Sequence, residues 1–283
     1  MIKWRGMTVR LHPLFVLMMA LAAAAGLFVE LATLFVIVAI HELGHVAAAF
    51  HYGWRIREIR LLPFGGVAEV EDAGTIPVRQ ETVVALAGPM QNAWLALSGW
   101  ALGQAGWADR AWAADFAAAN VWIGLFNLLP ILPLDGGKLM QAWLSLRLPY
   151  HAALRRSVLI SLAGGAALTV VSVWPALRGG PVQLNFLLIG LFLLASGWYQ
   201  WRNIPYLFIR FLVHRSRRSA EKLDAGAIAH PIVVSPHRPL STVVRLFMKE
   251  RYHLIYVMNG GRIQRVIPEG AVIEGFLARL RSR

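Results

Sequence analysis

The chain has 283 residues, of which 57% are hydrophobic and 15% charged, with a mean hydropathy of +0.54. Because soluble globular proteins carry about 25% charged residues, the composition excludes an ordinary soluble domain over most of the chain. The net charge is +13, and residues 202–283 contribute +10 of it, from 15 Lys and Arg less 5 Asp and Glu. The absence of cysteine excludes disulfides and thiolate ligands, so any metal site must use His, Asp or Glu.

Six apolar segments approach the roughly 20 residues that a helix needs to cross a bilayer. They are residues 12–28, 31–50, 82–103, 112–134, 154–174 and 182–201. The first follows three basic residues and resembles a signal peptide. Because a second apolar segment follows within a few residues and carries the metal motif described below, we interpret the first as a retained span.

Basic residues are unevenly distributed between these segments. The amino-terminal arm and the connections 51–81 and 135–156 hold eleven Lys and Arg, whereas the alternate connections hold two. Cytoplasmic loops of membrane proteins carry the excess of Lys and Arg. The sequence therefore predicts a multi-pass membrane protein with both termini in the cytoplasm.

Apolar and charged residues alternate over 54–71, on both sides of Pro63-Phe64-Gly65-Gly66. This pattern predicts two strands joined by a glycine turn. Two interpretations stay open. The hairpin is either a plain surface feature or an edge strand that pairs with an extended substrate, in which case Phe64, Gly65 and Gly66 bind that substrate.

The second apolar segment contains His41-Glu42-Leu43-Gly44-His45, an HExxH motif. Residues i and i+4 share one face of a helix, so His41 and His45 can bind one metal ion while Glu42 accepts a proton from a water. Zinc suits these ligands, with iron and cobalt as alternatives. Ionisable residues inside membrane helices are costly and mark functional sites, which favours a metal centre over a structural role.

A catalytic zinc site usually has three protein ligands. The carboxylates within reach of the membrane are Glu30, Asp109, Asp115 and Asp135. The predicted orientation puts only Asp135 at the depth of the two histidines, and the nearby prolines and glycines are expected to turn it inward. Asp135 is therefore the expected third ligand, and its alternative role is the N-cap of a helix over 138–146.

Residues 202–224 form a basic connector that is expected to lie on an anionic leaflet. The pattern of residues 225–283 predicts a small cytoplasmic α/β module. Its strands are expected at 232–234, 254–258 and 263–267, and its helices at 240–249 and 271–280. The fold class is thus an all-α polytopic membrane domain over 1–201, with six transmembrane helices and a small β-hairpin insert, followed by the connector and the module.

The motifs HELGH, Ala87-Gly88-Pro89 with Asn92, and Asn127 followed by Pro133-Leu134-Asp135-Gly136 together resemble the site-2 protease family of intramembrane metalloproteases. The resemblance implies regulated intramembrane proteolysis with zinc bound by His41, His45 and Asp135 and with Glu42 as the general base. It implies that Asn127 supports the substrate or the scissile carbonyl, and that Pro133 lines the substrate site.

The Leu62-Pro63-Phe64-Gly65-Gly66 stretch, the six segments and the short tail resemble the sporulation branch of that family more specifically. This branch implies the pro-sequence of pro-sigma-K as substrate, in the mother cell of a spore-former. It also implies two inhibitory membrane partners, which resemble BofA and stage IV sporulation protein FA.

The tail resembles a single CBS motif, so a complete nucleotide cleft would need a second chain and a homo-oligomer is expected. The usual Thr-x-x-Asp contacts are replaced by residues 266–269, which argues against ATP binding by those contacts, and ATP stays an alternative ligand.

Two further functions stay open from the sequence. One is a general site-2 protease that cleaves anti-sigma factors or signal-peptide remnants, and the second is a non-catalytic membrane scaffold. No nucleic acid is expected as a partner, because the basic residues of the tail are scattered and its aromatic residues occupy core spacings.

Overall fold

A computed structural model of the chain describes residues 2–4, 7–11, 24, 26, 28–54, 56–62, 65–70, 76–224 and 228–281. The chain divides into two compact units. Unit 1 comprises residues 1–72, 79–129 and 134–139, and unit 2 comprises residues 73–78, 130–133 and 140–283. The segment 12–23 of the first predicted span and Phe64 lie outside the described residues.

Unit 1 contains a four-stranded sheet in the order β1-β2-β3-β4. Its strands are Ile2–Trp4, Met7–Leu11, Ile56–Leu62 and Gly65–Val70. β2 and β3 run parallel, whereas β1 with β2 and β3 with β4 are antiparallel. The predicted hairpin is confirmed, but Gly65 and Gly66 pair with Leu62 and Leu61 inside β4, so the prediction that they form the turn is wrong.

The helices that carry the site residues are α1 (Phe28–His51), α2 (Val78–Gln104), α3 (Arg110–Asn127) and α4 (Asp135–Arg147). Small residues allow α2 and α3 to pack closely. A Cβ atom on Gly99 would come within 2.6 Å of Phe116 Cδ1, and one on Gly103 within 2.7 Å of Ala113 Cβ. The two helices therefore approach along a glycine stripe.

The helix of the fourth predicted span ends at Asn127, and residues 128–134 form turns rather than helix. Proline removes a backbone donor and clashes with the preceding helical turn, so Pro130 and Pro133 are incompatible with a continuous helix here. The next helix, α4, begins at Asp135 itself. The helix predicted to begin at residue 138 therefore starts three residues earlier.

Unit 2 contains α5 (Tyr150–Val173), a 3₁₀ turn (Trp174–Arg178) and α6 (Leu184–Asp224), and α5 packs along α6. A three-stranded sheet follows, in which β5 (Ala229–Val234) pairs parallel and β7 (Arg262–Pro268) antiparallel with the central β6 (Tyr252–Asn259). Two helices cover this sheet, α7 (Leu240–Val244) and α8 (Glu269–Arg281). The predicted α/β arrangement is present, although α7 ends five residues earlier than expected.

In the described part of the chain, three helical stretches are long and apolar enough to cross a membrane: Phe28–His51, Tyr150–Arg178 and Leu184–Ser216. The predicted spans at 82–103 and 112–134 correspond to α2 and α3, which are helical but less apolar. The predicted number of six spans stays a prediction.

Candidate metal centre

His41 and His45 lie one turn apart on α1, and both are buried, with 3% and 8% of their surface exposed. Their Nε2 atoms are 3.2 Å apart. Asp135, the first residue of α4, places its Oδ2 atom 3.1 Å from His41 Nε2 and 3.0 Å from His45 Nε2. The structure thus brings two imidazoles and one carboxylate to a single buried point, as the sequence predicts.

The outer nitrogen of each histidine determines which tautomer is present. His45 Nδ1 lies 2.7 Å from the carbonyl oxygen of Val84, which can only accept, so Nδ1 carries the proton. His41 Nδ1 donates in the same way to Asn92 Oδ1. With the outer Nδ1 atom of each ring engaged in this way, Nε2 is the nitrogen that each ring can offer to a cation beside the Asp135 carboxylate. Two imidazole nitrogens and one carboxylate oxygen that converge in this way form a set that fits a divalent cation.

The space for such a cation is provided by Gly88 on α2. A Cβ atom at this position would come within 2.7 Å of His41 Nε2 and closer still to His45 Nε2. No larger residue fits without moving the imidazoles. The donor set and the open space together fit zinc, which prefers nitrogen and oxygen ligands in a tetrahedral arrangement.

The second oxygen of Asp135 is also engaged. Its Oδ1 atom accepts a hydrogen bond of 2.9 Å from Lys138 Nζ, one turn along α4. The side chain of Lys138 is half-exposed, whereas Asp135 is buried. One oxygen therefore faces Lys138 and the other faces the histidines, so a single oxygen would be available to a cation. Asp135 therefore does not act as the simple N-cap that was its alternative role.

The remaining predicted site residues lie outside this triad of ligand groups. Glu42 is half-buried on α1 beside His41. Asn127 is the last residue of α3, and its Nδ2 atom donates to the carbonyl of Ile123. Pro133 is half-buried in the turn before α4. Gly65 and Gly66 lie in β4, which is an edge strand of the four-stranded sheet. The backbone of β4 lies close to that of α1.

The three competing carboxylates take no part in the described ligand cluster. Asp109 caps α3, where its Oδ1 atom accepts from the backbone N–H of Trp112 at 2.9 Å. Glu30 and Asp115 are exposed. The carboxylate expected from its depth in the membrane is thus the one that the structure places beside the histidines.

Sequence reasoning missed the residues that support the ligands. In the sequence, Asn92 contributes only to the family resemblance, and the motifs predict no role for Asn120 or Lys138. A detectable signal was present for the asparagines, because each is a neutral amide within a predicted membrane segment and must find a hydrogen-bond partner there. What the sequence cannot supply is the partner, which depends on how α2 faces α3.

Comparison with known proteins assigns the chain that carries this site to a protein family. Residues 29–108 match the profile described as Peptidase family M50. The chain is 33% identical to Stage IV sporulation protein FB of Bacillus subtilis, in an alignment covering 99% of this chain and 96% of the relative. The chain belongs to peptidase family M50, the site-2 proteases. The M50 profile spans α1 and α2, which hold both histidines, Gly88 and Asn92.

Two further similarities agree with the M50 assignment. A zinc metalloprotease of Methanocaldococcus jannaschii is 25% identical, over 92% of this chain and 75% of the relative. The solved structure of the site-2 protease from the same organism shares the fold, with a TM-score of 0.57 and 24% identity over 71% of this chain and 93% of that chain. The chain is therefore a membrane zinc metalloprotease of the site-2 protease type.

Proposed function

We propose that this protease removes the pro-sequence of a pro-sigma-K-like transcription factor during sporulation, at the cytoplasmic side of a spore-former's mother-cell membrane. The observation that carries the proposal is the buried His41–His45–Asp135 cluster in a chain that is similar over nearly its full length to Stage IV sporulation protein FB. The cluster supports the proteolytic chemistry, and the similarity over nearly the full length supports the proposed sporulation role.

In the proposed mechanism, His41 Nε2, His45 Nε2 and one oxygen of Asp135 would hold a zinc ion. When bound, zinc would lower the pKa of a water to about 7 and polarise the scissile carbonyl. Glu42 takes the proton of the attacking water and passes it to the leaving amine. Lys138 holds the second oxygen of Asp135, so the carboxylate keeps its orientation through the cycle.

The substrate is proposed to bind as an extended strand. β4 is an edge strand next to α1, and an edge strand offers unpaired backbone groups to a peptide. Gly65 and Gly66 would form such backbone contacts without obstructing them. Phe64, Pro133 and Asn127 are the proposed side-chain contacts, with Asn127 supporting the scissile carbonyl.

The wider architecture is also part of the proposal: six spans over residues 1–201, a basic connector over 202–224, a CBS-like module over 225–283 and cytoplasmic termini. The module is proposed to form homo-oligomers, and membrane inhibitors resembling BofA and stage IV sporulation protein FA are the proposed partners.

In the module, a cavity of about 470 Å³ is lined by Ser235, Arg238 and Thr242 among apolar residues. Its size and polar groups favour keeping ATP as an alternative ligand.

A general site-2 protease that cleaves anti-sigma factors or signal-peptide remnants is the second candidate. It stays open because the chain is also 30% identical to a zinc metalloprotease of Mycobacterium tuberculosis, over 77% of this chain and 53% of the relative, whose name implies no sporulation substrate. The two candidates share the metal centre and differ only in substrate.

Co-expression with pro-sigma-K from a spore-former tests the proposal. Wild type should cleave it, and Glu42→Gln should not, because glutamine keeps the shape of the side chain but cannot accept the proton. Glu274→Gln, the same change at an exposed position on α8, is the matched control and should cleave normally. Cleavage that survives Glu42→Gln would refute the mechanism, and failure of the wild type to cleave would favour the second candidate.

A further inference from the structure

Two buried asparagines extend the hydrogen bonding of His41 away from the metal centre. Asn92 on α2 is 1% exposed and Asn120 on α3 is fully buried. Asn92 Nδ2 donates to Asn120 Oδ1 at 3.2 Å, and Asn120 Nδ2 donates to the carbonyl oxygen of Phe116 at 2.9 Å. A continuous line of hydrogen bonds therefore runs from the α3 backbone through both amides to His41.

The direction of this line is fixed at its far end. An asparagine amide can present either its oxygen or its NH₂ group to a neighbour. The Phe116 carbonyl can only accept, so Asn120 gives it the NH₂ group and turns Oδ1 towards Asn92. Asn92 must then donate to Asn120, which leaves Asn92 Oδ1 for the His41 Nδ1 proton.

If the Asn92 amide had the opposite orientation, His41 could not act as a metal ligand. Its NH₂ group would donate to His41 Nδ1, and the neutral ring would then carry its proton on Nε2, facing Asp135. An imidazole nitrogen that carries a proton has no lone pair for zinc. The orientation of one amide thus decides whether His41 can bind the metal.

Packing supports the contact between the two amides. Gly124 lies one turn after Asn120 on α3, and a Cβ atom there would come within 3.3 Å of Asn92 Cβ. The glycine allows the two helices to approach at the level of the amides. Because an unpaired buried amide is costly, the paired arrangement resists rotation of either side chain.

We propose that Asn120 is a positioning residue for the metal centre: through Asn92, it holds His41 in the tautomer that presents an unprotonated Nε2 atom to zinc. This inference rests on the proposed role of His41 as a ligand. It assigns to α3 a part in metal binding, although α3 contributes no ligand atom to the described cluster.

Zinc affinity of the purified full chain, measured by competition with a chelator, tests the proposal. Outer hydrogen-bond partners of metal ligands change affinity by about 10- to 100-fold, and we expect Asn120→Leu to weaken zinc binding by about 10-fold. Asn120→Asp should retain most of the affinity, because a carboxyl oxygen accepts from Asn92 in either protonation state. Ser172→Ala removes another buried hydrogen bond, made only to its own helix, and should bind zinc as wild type does.

A double-mutant cycle separates positioning from a merely structural role. If Asn120 acts through Asn92, Asn120→Leu should cause no further loss of zinc affinity in an Asn92→Leu background. The visible d–d spectrum of the Co²⁺-substituted chain should change in Asn120→Leu and not in Ser172→Ala. Equal affinity of Asn120→Leu and wild type, or fully additive losses in the double variant, would overturn the proposal.

His41→Ala distinguishes this inference from the proposed function on which it rests. Loss of zinc in His41→Ala together with unchanged affinity in Asn120→Leu would overturn only the role of Asn120. Zinc binding that survives His41→Ala would overturn the metal centre itself.

Discussion

At the metal centre, the neighbours of each side chain decide which atom it presents. Val84 and Asn92 accept the Nδ1 protons of the two histidines, and Lys138 holds one oxygen of Asp135. The two histidine ligands follow directly from the HExxH spacing on a helix, whereas Asp135 is predicted from its expected depth in the membrane. The supporting groups do not follow in this way, because those groups depend on contacts between side chains that the motif does not specify.

Gly88→Ala should abolish zinc binding. The added methyl group would occupy the space between the two Nε2 atoms, and the clash involves ring atoms that are held by their outer hydrogen bonds. Zinc per chain, measured by elemental analysis of the purified protein, checks this outcome. Gly275→Ala is the matched control, because a Cβ atom there meets only Leu240 Cδ1 at an ordinary 3.5 Å. A zinc content equal to wild type in Gly88→Ala would contradict this geometry.

At the scale of the helices, neighbouring helices approach each other closely at small residues. The sequence alone does not show which small residues have this role. HELGH predicts a helix, but it does not reveal that Gly44 faces α2. Similarly, the prolines before Asp135 predict that the chain turns there, but they do not predict that α4 begins at Asp135 itself. Local signals such as motif spacing and proline identify elements, whereas helix contacts and exact boundaries depend on the partner surface.

Gly44→Ala should destabilise the packing of α1 on α2. The new Cβ atom would lie 2.7 Å from the backbone oxygen of Ala87 and 2.7 Å from Gln91 Cγ, and a backbone atom cannot rotate away. Overpacking of this kind costs about 1–3 kcal/mol. Thermal unfolding in detergent measures the effect. Leu34→Ala, at an exposed position on α1, should unfold close to wild type, and a Gly44→Ala variant as stable as that control would refute the contact.

At the scale of the whole molecule, α6 continues from an apolar stretch into the carboxy-terminal part of unit 2. Arg215, near its end, is 5% exposed and forms two hydrogen bonds to Glu269, of 3.0 and 2.8 Å, at the start of α8. Its remaining N–H groups donate to backbone carbonyls of residues 248, 249 and 251. The sequence places Arg215 only within the basic connector, because the charge pattern does not distinguish a buried arginine from an exposed one.

Glu269→Gln should strongly destabilise the sheet and helices of this carboxy-terminal part. It would leave the buried Arg215 charge without its counter-ion, and breaking a buried ion pair costs about 3–5 kcal/mol. Hydrogen exchange of β6 and α8 in the full chain provides the measurement. Glu274→Gln, an exposed change on the same helix, should alter protection by less than about 0.5 kcal/mol. Equal protection in the two variants would contradict this role.

Acidification should weaken the same region. Burial lowers the pKa of His253 below 6.5. The hydrogen bond to Glu269 raises this pKa, but the charge of Arg215 lowers it further. Burial opposes ionisation of Glu269, but His253 and Arg215 outweigh it and lower its pKa below 4.5. In both cases the unfolded chain binds the proton more readily, so stability is lost as pH falls, first below about 6.5 and further below about 4.5.

Hydrogen exchange of β6 at pH 7 and pH 5, corrected for intrinsic rates, checks this dependence. Protection should fall on acidification in wild type and in His237→Gln, which alters an exposed histidine. His253→Gln should lose most of the dependence in this range. Protection that stays constant in wild type, or a dependence unchanged in His253→Gln, would contradict the assignment.

Zinc binding by His41, His45 and Asp135 underlies both the proposed protease chemistry and the positioning role of Asn120. Zinc K-edge X-ray absorption of the purified full chain reports these ligands without relying on activity. We predict two imidazole nitrogens at about 2.0–2.1 Å and a carboxylate oxygen at about 2.0–2.2 Å, with the oxygen contribution reduced in Asp135→Asn. A zinc environment without two imidazoles, or one that Asp135→Asn leaves unchanged, would contradict this ligand set.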